Sequence, residues 1–184
     1  MRIISGYHKG FRFPKRAMPH ARPTTDRAKE ALFNILDQRI DYESVEVLDL
    51  YSGMGSIALE FISRGASHVT AIDHNRKSIA YIQEIAQQLA VENLTVHSSK
   101  VLSFLKKTDK SYPVIFADPP YHSTQEIRQL LDVLSVGNFL TLGGIFILEH
   151  QSMTPIHHPA LIESRNYGQS TFSFFNFVKL PCEK

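Results

Sequence analysis

The most restrictive feature of this chain is a regular alternation of predicted strands and helices that begins after Tyr42. Short apolar runs typical of buried strands alternate with longer segments in which apolar residues recur at helical spacing. This alternation predicts an α/β fold with a mostly parallel sheet covered by helices on both faces. The strands are predicted at residues 45–50, 69–72, 94–97, 113–117 and 145–149, and the helices at 57–64, 76–90, 102–106 and 125–134.

The two ends of the chain depart from this alternation. Near the C-terminus, two β-rich runs flank Tyr167-Gly168-Gln169, a pattern that predicts an antiparallel strand pair. Near the N-terminus, residues 2–13 predict a short hairpin about two glycines, and a helix capped by Thr24 or Thr25 follows. The predicted apolar face of that helix consists of Ala28, Ala31, Leu32 and Ile35.

The composition is that of one soluble domain with a short extension. The 184 residues are 43% apolar and 21% charged, and no apolar run approaches the roughly 20 residues that span a bilayer. Because the N-terminal residues lack the apolar core of a secretory signal, we expect a cytoplasmic protein. We also expect a monomer. Cys182 is the only cysteine and the nine histidines show no ligand spacing, so no disulfide and no metal site is predicted. The predicted division is a basic arm with its helix (1–41) and a main domain (42–184).

Positive charge is concentrated at the N-terminus. Residues 1–29 contain eight Lys or Arg and one acid, whereas the remaining residues contain twelve basic and seventeen acidic side chains. A basic arm on a mildly acidic body predicts a polyanionic partner, and the aromatic residues within the arm favour a nucleic acid. The alternative is a solvated tail whose charges only aid solubility. The candidate RNA-binding residues are Arg2, Lys9, Arg12, Arg16, Arg22, Thr24 and Arg27.

Acidic residues end three of the predicted strands, where parallel sheets bind their ligands. The first of them, Asp49, is followed by a loop with the spacing G-x-G-x-x-A, and Asp73 ends the next strand. A dinucleotide fits the glycine spacing, but its pyrophosphate is disfavoured beside Asp49. S-adenosylmethionine carries an ammonium and a sulfonium, which a nearby acid attracts, so it is the favoured cofactor. The alternative is that the glycines only make a tight turn and the acids only solvate strand ends.

The third acid begins the stretch Asp118-Pro119-Pro120-Tyr121. The two prolines lack N–H groups and stiffen the loop, so the Asp118 carboxylate and the Pro119 carbonyl are offered as acceptors. Such a pair suits a substrate that reacts through an amino group, because two acceptors hold its hydrogens and direct its lone pair. Tyr121 is suited to stack on an unstacked base. Guanine offers two adjacent donors to a carboxylate, whereas adenine and cytosine favour Asn, so Asp118 points modestly to guanine.

These stretches together resemble the RsmD-type family of 16S ribosomal RNA guanine-N2 methyltransferases over essentially the whole chain. The matching segments are "RIISG", "RPTTDRAKEALFNIL", "DLYSGMGSIALEFISRGA", "DPPY", "LEH" and "YGQS". The resemblance implies a Rossmann-like class I methyltransferase fold with a seven-stranded sheet, and S-adenosyl-L-methionine as the donor, with S-adenosyl-L-homocysteine as product. It implies as substrate a guanine of the 966 type in 16S rRNA, in the assembled or assembling small ribosomal subunit.

The resemblance also assigns residues to the site. It implies that Asp118, Pro119, Pro120 and Tyr121 hold the target base. The implied cofactor-binding residues are Asp49, Tyr51, Ser52, Gly53, Gly55, Asp73, His74 and Val101. The chain departs from the family at Lys100, where an acid or amide near the adenine is usual. Since Lys accepts no hydrogen bond, that contact falls to Ser98, Ser99 or the backbone, or is absent.

Three other functions remain open from the sequence. An N6-adenine methylase acting on DNA or RNA shares the DPPY motif. A nicotinamide-dependent oxidoreductase shares the glycine spacing, but Asp49 and the lack of an obvious acid or base for hydride chemistry oppose it. A catalytically silent RNA-binding assembly factor would need no intact DPPY motif.

Overall fold

The computed structural model describes residues 1–14, 25–120 and 124–177, and it places seven strands in one sheet. The strands are β1 (Glu46–Leu50), β2 (His68–Asp73), β3 (Leu94–Ser98), β4 (Tyr112–Ala117), β5 (Leu140–Gln151), β6 (Leu161–Tyr167) and β7 (Ser170–Phe175). The α-helices are α1 (Asp26–Leu36), α2 (Ser56–Ser63), α3 (Arg76–Gln88), α4 (Val101–Leu105) and α5 (Thr124–Val136).

The strand order is β3-β2-β1-β4-β5-β7-β6. The first five strands pair in parallel, whereas β7 pairs antiparallel with both β5 and β6. The predicted antiparallel pair at the C-terminus is confirmed, with Gly168 at a positive φ of 67° in the turn between its strands. This is the mostly parallel, seven-stranded sheet of a Rossmann-like α/β fold that the resemblance implies.

Apolar residues cover both faces of the sheet, as strands buried on two sides require. One core packs α1 and α2 against β1, β2 and β4, with Phe33, Phe61 and Phe116 nearly or fully buried. The other packs α4 and α5 against the opposite face and includes Leu48, Ile115 and further side chains from β5 and β7. Phe172, Phe174 and Phe175 are fully buried, so the aromatic C-terminal run packs the sheet.

The buried face of α1 differs from the prediction. Thr25 caps the helix by accepting from the Ala28 N–H at 3.2 Å, but Ala31 and Ile35 are only partly buried. The buried residues are instead Ala28, Lys29, Leu32, Phe33 and Leu36. The physical reason is that Lys29 finds a buried carboxylate on α2, so the helix turns a charged residue toward the core.

The N-terminal residues pack on the main domain. Arg2 and Arg12 form one antiparallel bridge, so the predicted hairpin is limited to a single bridged pair. Ile3 and Phe13 are buried against Leu59 of α2 and against Tyr81 and Ile85 of α3. The first described segment is therefore anchored by apolar contacts to the two helices that follow β1 and β2.

Candidate functional site

The carboxyl ends of β1, β2 and β4 bring the predicted acids to one edge of the sheet. Asp49 lies one residue before the end of β1, Asp73 ends β2, and Asp118 directly follows β4. Because β1 lies between β2 and β4, the loops after these strands are neighbours. The backbone N–H of Asp118 donates to the Leu50 carbonyl at 3.3 Å, which joins the β4 loop to the end of β1.

Asp49 is a buried acid with an unsatisfied oxygen. Its side chain is 1% exposed, and Oδ2 has no hydrogen-bond partner in the described part of the chain. Burial raises the pKa of Asp49 to about 8, with a smaller contribution from Asp73, against hydrogen bonds from Ser52 and the Ala58 backbone. A cationic group at Oδ2 would supply the missing donor and favour the carboxylate, so the site fits a positively charged ligand.

The loop between β1 and α2 is held in a strained, closely packed conformation. Tyr51 has a φ of 60°, which is uncommon for a residue with a side chain, and Gly53 and Gly55 have positive φ of 53° and 73°. Ser52 secures the turn, because its N–H donates to the Ile72 carbonyl at 3.0 Å and its hydroxyl to the Asp49 carbonyl at 2.8 Å. The loop is therefore fastened to both β1 and β2.

Gly55 is required by packing as well as by its dihedral angle. A Cβ atom there would lie 2.8 Å from Cγ1 of Ile82 on α3. Close approach of the loop to α3, rather than to a ligand alone, therefore accounts for glycine at this position.

Asp73 binds the loop from the neighbouring strand. Its Oδ2 accepts from the Gly53 N–H at 2.8 Å, and its Oδ1 accepts from the Asn75 N–H at 2.7 Å. The side chain is nearly buried, and each carboxylate oxygen retains a second lone pair for a ligand hydroxyl. Asp73 thus holds the loop between β1 and α2 (the glycine loop), in addition to the cofactor-binding role that the resemblance implies.

Three further residues of this region differ in exposure. His74 is 68% exposed, with Nδ1 3.8 Å from Asp73 Oδ1. Val101, the first residue of α4, is 5% exposed and packs in the core. Lys100, directly before that helix, is exposed. The Ser99 N–H donates to the Asp73 carbonyl at 3.0 Å, so this turn is also tied to the end of β2.

The loop after β4 carries the predicted base-holding residues. Asp118 is partly buried, Pro119 is buried and Pro120 is exposed. Tyr121 lies outside the described residues. Tyr51, which directly follows β1, packs in the same core as α5. Burial, together with Glu126 on that helix, raises the pKa of the Tyr51 hydroxyl. The loop after β1 and the helix after the β4 loop are therefore in contact.

Of the candidate RNA-binding residues, the structure describes four. Arg2, Lys9, Arg12 and Arg27 are all exposed. Arg2 is also 3.8 Å from Asp26 at the start of α1. Arg16, Arg22 and Thr24 lie outside the described residues.

A buried acid–histidine pair was not assigned a role from the sequence. Glu149 and His150 lie in β5, immediately after the residues that pair with the end of β4, and they are 1% and 5% exposed. His150 Nε2 lies 2.8 Å from Ser173 Oγ and Nδ1 lies 3.0 Å from the Gln151 carbonyl. Burial lowers the pKa of His150, which favours the neutral ring with Nδ1–H donating. The "LEH" stretch at a strand end was the signal available in the sequence.

The described part of the chain, residues 1–14, 25–120 and 124–177, contains neither a metal-binding cluster nor a membrane-spanning helix. In these ranges no three His, Cys, Asp or Glu side chains are grouped so as to hold a metal ion. Over the same ranges, every helix is too short or too polar to cross a membrane.

Comparisons with known proteins agree with this architecture. The family described as Conserved hypothetical protein 95 matches residues 1–176. Ribosomal RNA small subunit methyltransferase D of Buchnera aphidicola is 33% identical over 153 residues, which are 83% of this chain and 76% of that protein. The protein of the same name from Escherichia coli K12 is 36% identical over 154 residues, covering 82% and 75%.

A solved structure extends the likeness to three dimensions. The putative methyltransferase yhhF from Escherichia coli superposes with a TM-score of 0.83 at 27% identity, covering 95% of this chain and 96% of that one. The resemblance drawn from the motifs is thereby confirmed, and the chain belongs to the Conserved hypothetical protein 95 family, which is the RsmD-type family.

Proposed function

We propose that this protein is an S-adenosylmethionine-dependent methyltransferase that modifies the N2 amine of a guanine in 16S rRNA, of the guanine-966 type, in the small ribosomal subunit. The observation that carries the proposal is the hydrogen bond from Asp118 N–H to the Leu50 carbonyl. This bond joins the loop after β4, which would hold the amine, to the end of β1, next to the unsatisfied carboxyl of Asp49. The names and folds of the relatives support the broader part of this proposal, methylation of small-subunit rRNA.

The cofactor would be held by the loops after β1, β2 and β3. Asp49 would supply a buried negative charge for the ammonium end, and Asp73 would accept from the ribose hydroxyls. When bound, S-adenosylmethionine supplies an electrophilic methyl group on a positively charged sulfur. The pyrophosphate of a nicotinamide cofactor would instead face the Asp49 carboxyl, which disfavours the oxidoreductase.

The target base would be held by the residues that follow β4. The Asp118 carboxylate accepts from N1–H and the 2-amino group of guanine, and the Pro119 carbonyl accepts the other amine hydrogen. Holding both hydrogens directs the nitrogen lone pair toward the methyl group, so positioning and fixed charge supply most of the rate. No strong base is needed, because the methylated ammonium loses its proton readily.

The exposed arginines and lysine of the N-terminal segment would bind the rRNA phosphates. Arg2, Lys9 and Arg12 are exposed on the segment that packs against α2 and α3, and Arg27 is exposed on α1, which packs against α2. Phosphate contacts set affinity and orientation, while the base is selected at Asp118.

Transfer of a labelled methyl group tests the proposal. Purified protein is mixed with labelled S-adenosylmethionine and small subunits from a strain that lacks this gene, with large subunits as the matched control. We expect label in 16S rRNA alone, and tight binding of S-adenosylmethionine but not NADH in calorimetry. Binding of NADH, or absence of label from 16S rRNA while the cofactor binds, would contradict the proposal.

A further inference from the structure

An ion pair between α1 and α2 is completely buried. Lys29 Nζ lies 3.1 Å from Glu60 Oε2, and both side chains are 0% exposed. Burial lowers the pKa of Lys29, and the charge of Glu60 opposes that shift. Because apolar residues of similar size often stabilise a fold as well as a buried ion pair does, net stability does not by itself account for these charges.

Glu60 binds the backbone of residues 1–14, the N-terminal segment. Its Oε2 accepts from the Ile4 N–H at 2.8 Å and its Oε1 from the Ser5 N–H at 3.0 Å. One turn later on α2, the Ser63 carbonyl accepts from the Tyr7 N–H at 2.7 Å. The segment therefore lies against α2 through its main chain, which leaves its basic side chains available to a ligand.

Gly6 shows how closely the segment approaches the helix. Its φ is 81°, and a Cβ atom at this position would lie 1.7 Å from the Ser63 carbonyl oxygen. Only glycine permits this contact without displacing backbone, so the position of the segment on α2 is narrowly defined.

Lys29 connects the same segment to the start of α2. Its ammonium donates to the Arg2 carbonyl at 2.6 Å and to the Ser56 hydroxyl at 3.3 Å. Ser56 is the first residue of α2 and directly follows Gly55 of the glycine loop. The buried Lys29 ammonium thus contacts both Arg2, whose side chain is exposed, and the first residue of α2, the helix that follows the glycine loop.

We propose that Lys29 and Glu60 are positioning residues for rRNA, which hold the exposed, bridged pair Arg2 and Arg12 at a set place relative to the glycine loop. The inference rests on the proposed function. Loss of the ammonium would leave Glu60 buried with its charge unpaired and would release the Arg2 carbonyl. The segment would then have to be ordered when the subunit binds, which costs affinity for the subunit, while the residues proposed to touch base and cofactor remain in place.

Lys29→Met tests this, because Met matches the length of Lys without its charge or donors. The matched control is Arg64→Met. Arg64 Nε contacts the same Glu60 carboxylate at 3.1 Å and is nearly as buried, but its side-chain hydrogen bonds go to Glu60 and Asp37 rather than to the N-terminal segment or Ser56. Each variant breaks one ion pair at Glu60. Only Lys29→Met also removes hydrogen bonds to the N-terminal segment and to the start of α2, next to the glycine loop.

We expect Lys29→Met to raise the KM for small subunits about tenfold, with kcat and cofactor Kd within about threefold of the parent. Amide exchange of Ile4 and Ser5 should become faster. Arg64→Met should lower the unfolding temperature while leaving the subunit KM and that exchange near parental values. Glu60→Gln is the second variant, used if Lys29→Met does not fold, and the same KM increase is expected.

Two results would overturn the inference: an unchanged subunit KM in Lys29→Met, or equal increases in Lys29→Met and Arg64→Met. Failure of the parent protein to methylate rRNA would refute the proposed function instead. The exchange rates of Ile4 and Ser5 would still report whether Lys29 holds the segment.

Discussion

The carboxylate of Asp73 accepts the backbone N–H of Gly53 at 2.8 Å, so the acid that ends β2 holds the glycine loop that follows β1. Its second oxygen accepts from the Asn75 N–H at the start of α3. Both N–H groups would lose a charged acceptor if the side chain changed. The shape of the glycine loop therefore depends on a residue twenty positions away in the sequence.

Asp73→Asn should weaken both the fold and cofactor binding. The amide places an NH₂ group against one of two backbone N–H groups, so the free energy of unfolding should fall by about 1–3 kcal/mol. S-adenosylmethionine should bind about 10- to 100-fold more weakly, since the loop and the ribose both lose an acceptor. Thermal unfolding and calorimetry measure the two effects. The control is His74→Ala at the exposed neighbour, and an Asn variant as stable as that control would refute this role of Asp73.

Asp49→Asn should stabilise the protein while weakening cofactor binding. The folded-state pKa of about 8 exceeds the ordinary 3.8, so between these values folding holds a proton that the unfolded chain releases. The contribution of Asp49 to stability therefore becomes more unfavourable as the pH rises, and it levels off above about pH 8. Asn removes this cost, which gives an expected gain of about 2–4 kcal/mol at pH 8 and almost none near pH 4.

The same substitution removes the charge that, in the proposed site, attracts the ammonium of the cofactor. We expect calorimetry to show a loss of about 1–3 kcal/mol in S-adenosylmethionine binding. Denaturant unfolding of parent and variant across this pH range provides the stability difference. A difference that is constant with pH would show that Asp49 ionises in the folded protein as it does in water.

Much of this architecture is predictable because strand residues and strand-end acids have local signatures. The alternation of apolar runs and helical spacing predicts the parallel sheet, and the position of Asp49, Asp73 and Asp118 after three such runs predicts a shared edge. The strand order confirms that placement. Strand ends were less accurate: β5 begins at Leu140 rather than at 145, and Gly143, at a positive φ of 77°, lies within the part that was not predicted.

The contacts that join distant segments could not be predicted. Lys is almost always exposed, so the sequence offers no reason to bury Lys29 until Glu60 is placed opposite it by the fold. In the same way, the glycine spacing indicates a tight loop, but it does not show that Ile82 of α3 excludes a Cβ atom from Gly55. Such contacts depend on tertiary packing between elements far apart in the chain.

The charge of the N-terminal segment should set the salt dependence of subunit binding. Deleting residues 1–16 is a poor test, because Ile3 and Phe13 are buried and Glu60 would lose its backbone partners. Changing Arg2, Lys9 and Arg12 to Gln leaves the backbone contacts intact. We expect the slope of log K against log salt to fall by about 2, with unchanged cofactor affinity and little change in unfolding temperature.

The control for that experiment is a Gln substitution at both Lys106 and Lys107, which are exposed after α4. Their removal should leave the salt slope near that of the parent. Equal changes per charge in the two variants would indicate that net charge, rather than the N-terminal segment, governs binding.

Asp118→Asn should reduce methyl transfer without affecting the cofactor. The amide NH₂ would face a guanine N–H, which removes one hydrogen bond and places two donors against each other. The expected cost is roughly 3–5 kcal/mol of transition-state stabilisation, or about a thousandfold in rate. Single-turnover methylation with saturating S-adenosylmethionine measures the rate, and calorimetry should show nearly parental cofactor affinity. A rate within about tenfold of the parent would argue against pairing between the carboxylate and guanine.

The identity of the methylated base is the most direct test of guanine-N2 methylation in 16S rRNA. Small subunits from a strain without this gene are methylated by the purified protein, and their 16S rRNA is digested to nucleosides and analysed by mass spectrometry against standards. We expect one new N2-methylguanosine per subunit, which is absent when Asp118→Asn replaces the parent protein in a short reaction. N6-methyladenosine as the product, or methylation confined to other RNA, would contradict it.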